Sequence, residues 1–281
     1  MDKELISKNH FHFIGIGGIG MSAIAMGLLK KGYSVSGSDL TKNNETKKLE
    51  ELGVIIFYSQ IRRNIEFITS KFNNKLINFV VSTAIKPENE ELIFCRETNL
   101  PVKHRSEILA LLMQSYNSIA VAGSHGKTST STFLSTLLEL CTHNSSSITG
   151  GIIPIYNSNC HLENTKFLVA EVDESDGTIN RYKSDIGIIN NIDFDHCDYF
   201  NNLKEVISSF KDFAKNSKKL LINFDCKITR NNFYSKNKWS NIKPIKTGYA
   251  LIPAEINKNH TIGKYYENGN FISSINIQSR T

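Results

Sequence analysis

The stretch Phe11-His12-Phe13-Ile14-Gly15-Ile16-Gly17-Gly18-Ile19-Gly20-Met21-Ser22 decides the fold of the first half of this chain. Phe11 to Ile16 is apolar and β-prone, the glycines from Gly15 to Gly20 break it, and Met21 to Lys31 resumes with helical apolar spacing at Ile24 and Leu28. That order is strand, glycine turn, helix. The GxGxxG spacing lets a diphosphate approach the bare backbone and meet the positive end of the helix dipole. A second strand, Tyr33 to Gly37, ends in Ser38 and Asp39, the place from which an acidic side chain reaches a ribose hydroxyl. The physics identifies a diphosphate attached to a sugar. NAD and a UDP-sugar present the same groups, and a glycine turn kept for helix–strand packing has the same spacing.

Outward from that turn, a helix-like stretch runs from Glu45 to Leu52 and a strand from Val54 to Phe57. Ile77 to Val81 reads as a strand ending in Ser82-Thr83-Ala84, and Glu88 to Thr98 and Ser106 to Met113 read as helices. This β-α-β alternation implies an α/β fold with a parallel sheet covered by helices. Gln114 to Ser118 is a polar connector, which places a domain boundary between residues 1–116 and 117–281.

The second half restarts the alternation. Ile119 to Ala122 is a strand, and Gly123-Ser124-His125-Gly126-Lys127-Thr128 is a turn that opens a helix running to Leu140. Backbone N–H groups of such a turn converge on one anion. A strict P-loop has glycine where this chain has Val121, so the match is to the shorter GxxGKT form. Lys127 is placed to neutralise β and γ phosphates, and the Thr128 hydroxyl to complete a Mg2+ shell. Strands at Phe167 to Glu171, Ile186 to Asn190 and Lys219 to Asn223 and a helix at Leu203 to Ala214 follow. Glu171, and the group Asp193, Asp195, His196 and Asp198, fall at strand ends, where an open parallel sheet presents ligands. Acidic residues also gather there for solvation. Beyond Cys226 the signal weakens to one period-2 stretch at Phe271 to Ile277.

The chain has 281 residues, 40% hydrophobic and 21% charged, which excludes collagen, coiled coil and wholesale disorder. Its apolar runs fall short of the roughly 20 residues that cross a bilayer. Met1 to His10 lacks the apolar core of a secretory signal, so a cytoplasmic protein without a membrane partner is expected. Five cysteines lie far apart with no CxxC spacing, the pattern of reduced thiols. The net charge of +6 is spread along the chain and interleaved with 27 acidic residues, which argues against a nucleic-acid stripe.

Taken together, the run from His12 to Ser22, Ser36-Gly37-Ser38-Asp39, the loop from Gly123 to Thr128, Glu171-Val172-Asp173-Glu174-Ser175-Asp176 and the segment Asn191 to Asp198 resemble the Mur ligases, above all the members that add L-alanine. The resemblance implies an N-terminal UDP-binding Rossmann-like domain, a central P-loop ATPase-type domain and a C-terminal domain that accepts the amino acid. It implies an ATP-dependent amide ligation in peptidoglycan synthesis: ATP phosphorylates the carboxylate of UDP-N-acetylmuramate, and the amine of L-alanine attacks the acyl phosphate. A peptide-adding relative acting on the same sugar, and an incomplete protein that only binds UDP-muramate and ATP, are the alternatives. By the same resemblance Gly15, Gly17, Gly18 and Gly20 hold the diphosphate, with Asp39, Ser82 and Thr83 near the nucleotide-sugar. Gly123, Ser124, His125, Gly126, Lys127, Thr128 and Ser129 hold ATP. Lys127, Glu171, Asn191 and His196 are the implied catalytic residues. Thr128 and Glu171 hold one Mg2+ and His196 a second. Ser124 and Ser129 stand where threonines are usual, Cys197 where methionine is common, and Thr281 precedes the family's C-terminal domain.

Overall fold

A parallel sheet and a mostly parallel one, packed on a shared core, carry the two glycine turns. The computed structural model describes residues 6, 8–141, 143–175, 177–195, 199–233, 249–256, 260–267 and 270–278. In the first sheet, β1 (Asn9–Ile14), β2 (Ser34–Ser38), β3 (Ile55–Phe57), β4 (Leu76–Val81) and β5 (Val102–His104) pair in parallel in the order β3-β2-β1-β4-β5. The helices between and after them are α1 (Ile19–Lys30), α2 (Asn44–Glu51), α3 (Arg62–Lys71), α4 (Glu90–Glu97) and α5 (Arg105–Met113).

The second sheet runs β11-β10-β6-β9-β7-β8. Its elements in chain order are β6 (Asn117–Ala122), α6 (Lys127–Leu140), β7 (Ser145–Ile153), β8 (Ser158–His161), β9 (Phe167–Glu171), β10 (Ser184–Ile189), α7 (Leu203–Lys215), β11 (Ser217–Ile222) and α8 (Lys227–Phe233). Only β8 runs antiparallel within it. A third, antiparallel sheet is made of β12 (Tyr249–Ile256), β13 (His260–Glu267) and β14 (Asn270–Gln278). In both large sheets the turn of interest follows the strand, β1 or β6, at which the strand order changes direction. Ligands of open α/β sheets bind at such switch points.

Helix α1 explains how the two turns come to face one another. Ile24, Leu28 and Met21 are buried, and the core they join includes Leu112 of α5, Ile148 of β7 and Cys160 of β8. The helix is therefore covered on both sides, which is why its sequence is apolar all round. Gly27 permits the close packing, since a β-carbon there would lie 3.1 Å from Leu162 Cδ1. Asn159 Nδ2 donates to the Ile19 carbonyl at 2.6 Å across the same seam.

Several elements escape a reading by apolar pattern. β7 opens with Ser145-Ser146-Ser147, all buried; Ser147 Oγ donates to Ser135 Oγ at 2.8 Å and Ser146 Oγ pairs with Thr165 Oγ1 at 2.8 Å. α3, β5, β8, α8 and the first two strands of the third sheet are likewise additional to the sequence reading. Among the described residues, no helix is long and apolar enough to cross a membrane.

Candidate active site

The first turn is held by main chain and by one carboxylate. Gly15 adopts φ +82°, and its N–H and that of Ile16 donate to the Ser38 carbonyl at 2.8 and 2.9 Å. Asp39 braces the turn while bordering the cavity above it. Its Oδ2 accepts from Gly17 N at 2.8 Å and its Oδ1 from Thr41 N at 3.1 Å, while Asn43 Nδ2 donates to the Gly17 carbonyl at 3.0 Å. A β-carbon on Gly17 would meet Asp39 Oδ2 at 2.8 Å, so the bare glycine is what lets this clasp close. Gly18 caps α1 in extended conformation. A 670 Å3 cavity lies over the turn, bordered by Gly15, Gly17, Asp39, Gln60, Ser82 and Asn89.

The second turn is held from beneath by the end of β10. Gly123 has φ +146° and packs on Asn190, where a β-carbon would approach Asn190 Cβ to 2.9 Å. Asn191 clamps His125 on both sides, accepting from its N–H at 2.8 Å and donating to its carbonyl at 3.0 Å. Its carboxamide is thus engaged by the loop rather than turned into the cleft. Ser124 Oγ accepts from Asp193 N at 2.9 Å. Ser129 is exposed, beside Phe133 and Pro154 on the outer side of α6. Gly126, with φ +75°, turns the chain into α6, so that Lys127 and Thr128 project from its first turn.

Lys127 Nζ donates to the Gly123 carbonyl at 2.8 Å and to both oxygens of Glu174 at 2.9 and 3.0 Å. Glu174 is almost wholly buried, and burial raises its pKa against the opposing pull of Lys127. Thr128 Oγ1 donates to Glu171 Oε1 at 3.0 Å, and Gly150 N donates to Glu171 Oε2 at 2.7 Å. A hydroxyl and a carboxylate are the hard oxygen donors that suit Mg2+, which keeps water for its other positions. His196 and Asp198 lie outside the described residues. Among the described residues, no cluster of three or more His, Cys, Asp or Glu is placed to hold a metal. Asp193 instead turns back on Phe194 N at 2.8 Å.

The two turns share a second cavity, of 320 Å3. Gly18, Gly20, Ser82 and Thr83 border it from the first unit, and Lys127 and Glu171 from the second. Arg105, at the start of α5, and Asp173, just after β9, meet across its edge at 2.6 Å. Burial pushes Asp173 up, but the Ser175 N–H and the charges of Arg105 and Lys127 outweigh it and hold its carboxyl below the usual range. The structure therefore adds Arg105, Asp173, Glu174 and Gly150 to the residues singled out from the sequence. Asp173 and Glu174 stand inside the quoted run from Glu171 to Asp176, and nothing in that run says which carboxylate is buried.

Two family models match most of the chain. The family model "Mur ligase family, catalytic domain" matches residues 10–117, and "Mur ligase middle domain" matches residues 121–278. A UDP-N-acetylmuramate–L-alanine ligase of Prochlorococcus marinus subsp. pastoris is 69% identical over 277 residues, which cover 99% of this chain and 59% of that one. The chain thus spans under two thirds of this curated relative's length. Two solved structures share the fold. A UDP-N-acetylmuramate–alanine ligase from Thermotoga maritima superposes with TM-score 0.77 at 23% identity, over 95% of this chain and 60% of that one. A UDP-N-acetylmuramate:L-alanyl-gamma-D-glutamyl-meso-diaminopimelate ligase from Neisseria meningitides does so with TM-score 0.81 at 21% identity, over 95% and 86%.

Proposed function

Because the chain belongs to the Mur ligase family, we propose that it holds the sugar nucleotide and the ATP of a cytoplasmic ligase that joins L-alanine to UDP-N-acetylmuramate during peptidoglycan synthesis. Residues 1–116 take the UDP-sugar on the glycine turn, and residues 117–281 take ATP on the phosphate loop. The observation that supports this most directly is the single cavity bordered by both, with Ser82 and Thr83 facing Lys127 and Glu171. An NAD-dependent dehydrogenase would leave the second loop without a task, and a kinase would leave the first.

In this reading the sugar carboxylate attacks the γ-phosphate, the bond to the β-phosphate breaks and ADP leaves, giving an acyl phosphate. The amine of L-alanine then attacks its carbonyl carbon, loses a proton and displaces phosphate to form the amide. Lys127, fixed by Glu174 and the Gly123 carbonyl, supplies positive charge where the γ-phosphate arrives. Thr128 and Glu171 would hold Mg2+, which when bound offsets the charge of the β and γ phosphates. His196 is assigned a second Mg2+ on the strength of the motif. Asn191 acts by holding the His125 peptide in the loop.

The test is phosphate release with UDP-N-acetylmuramate, magnesium-ATP and either L-alanine or an L-alanyl tripeptide, alongside melting curves with UDP-N-acetylmuramate and NAD. Release that depends on L-alanine supports the reading, and release that depends on the tripeptide replaces it with the peptide-adding one. Stabilisation by NAD and not by the UDP-sugar overturns both. Stabilisation by UDP-N-acetylmuramate and by magnesium-ATP without release restricts this chain to substrate holding.

A further inference from the structure

Among the described residues, two basic side chains border the 320 Å3 cavity, Lys127 and Arg105. Lys127 sits on the phosphate-loop side with its ammonium directed at Gly123 and Glu174. Arg105 borders the cavity from the start of α5. Its Nη2 donates to Asp173 Oδ2 at 2.6 Å, and its Nη1 lies against Gly20, where a β-carbon would be 3.3 Å away. The guanidinium therefore spans the gap between the second unit and the glycine turn of the first.

Its backbone is held firmly. His104 and Glu107 form a reciprocal cap at the start of α5, with His104 N donating to Glu107 Oε1 at 3.0 Å. Arg181 Nη1 donates to the neighbouring Ser106 Oγ at 3.0 Å. The Arg105 side chain is 19% exposed, so an anion paired with it is only lightly screened by solvent. A guanidinium has donors on more than one edge of its plane and can serve two carboxylates, which an ammonium does less selectively. Asp173 takes one edge and orients the rest toward the cavity.

We propose that Arg105 reads the lactyl carboxylate of the sugar nucleotide, a specificity-determining contact that rests on the ligase reading above. The group to be phosphorylated is an anion that must approach another anion, the γ-phosphate, with Lys127 already on the phosphate side. Arg105 is the cation on the sugar side. A UDP-sugar without the carboxylate leaves that guanidinium edge unpaired in a partly closed cavity, and so binds less well.

The experiment is calorimetric titration of the 281-residue chain, without ATP, with UDP-N-acetylmuramate and with UDP-N-acetylglucosamine, which lacks the lactyl carboxylate. Wild type should prefer the former by about ten- to a hundredfold, the range of one charge-assisted hydrogen-bond pair. Arg105→Ala should bring the ratio near unity by weakening UDP-N-acetylmuramate alone, and Arg105→Lys should restore part of it. Unchanged affinity for UDP-N-acetylglucosamine shows that the variant is folded. Retention of the preference in Arg105→Ala, or an equal loss for both sugars, would overturn the assignment. Wild type that binds neither sugar would instead remove the ligase reading on which it stands.

Discussion

Lys127 Nζ lies 2.9 and 3.0 Å from the two carboxylate oxygens of Glu174, a side chain 1% exposed. The lysine that the sequence marks for phosphate is thus already part of a buried ion pair. Taking two charges out of water costs several kcal/mol per ion, so the pair is stable only while intact. Lys127→Met should cost about 3–5 kcal/mol in urea unfolding, because it strands Glu174 in the interior. Adding Glu174→Gln should recover most of that loss while ATP binding stays abolished. A single variant as stable as wild type would show that the two charges are not coupled.

Gly150 tests the metal side of the loop. Its N–H donates to Glu171 Oε2, and a β-carbon there would stand 2.7 Å from Glu171 Oε1, the oxygen that accepts from Thr128. Gly150→Ala should push Glu171 off Thr128. Magnesium-ATP affinity should fall about tenfold, the value of one weakened hydrogen bond to a charge, with UDP-sugar affinity unchanged. Equal weakening of both ligands would point to a general loss of structure.

Asp39 is legible as a strand-end carboxylate, and its partner is not. In sequence it stands where a ribose contact is expected; in the fold it clasps Gly17 and Thr41. The difference lies in Asn43 and Gly17, whose closeness is set by the turn rather than by any periodicity. The two glycine turns themselves are readable because positive φ and close backbone approach demand glycine at Gly15, Gly123 and Gly126. Helix α6 and strand β9 follow the expected bounds, each bracketed by a turn and an uninterrupted pattern. Buried serines in β7 and the two-anchor helix α3, held by Ile65 and Ile68, offer too little apolar signal to be found. Asp39→Ala should then weaken UDP-sugar binding about tenfold and cost roughly 1–3 kcal/mol, by freeing the Gly17 N–H and loosening the turn. Calorimetry paired with urea unfolding checks both, and a loss of affinity without a loss of stability would return Asp39 to direct contact with the ligand.

A pH signature comes from a polar ladder inside the first sheet. His10 and His12 of β1 face Ser34 and Ser36 of β2, with His10 Nδ1 to Ser34 Oγ at 2.7 Å and His12 Nδ1 to Ser36 Oγ at 2.8 Å. Burial, reinforced by Lys75 for His10 and by His10 for His12, lowers their pKa to about 4 and about 3. Glu91, 4.0 Å from His12 and bonded by Ser38 and Asn64, is pushed up by burial to about 7. Both histidines are held neutral when folded, so their contribution is complete above pH 6.5 and is lost as pH falls toward the folded values. Glu91 has the opposite sign: its folded form holds a proton that the unfolded chain releases, so it favours folding below pH 4.5 and loses that advantage as pH rises to 7. Between pH 4.5 and 6.5 these three groups leave the unfolded state about one proton ahead, a loss of roughly 1.4 kcal/mol per pH unit on acidification. Glu91→Gln removes the opposing group and should make the fall steeper, whereas His12→Gln should flatten it. Urea unfolding of the three proteins across this window checks the order of slopes, and a Glu91→Gln variant less acid-sensitive than wild type would reverse the assignment.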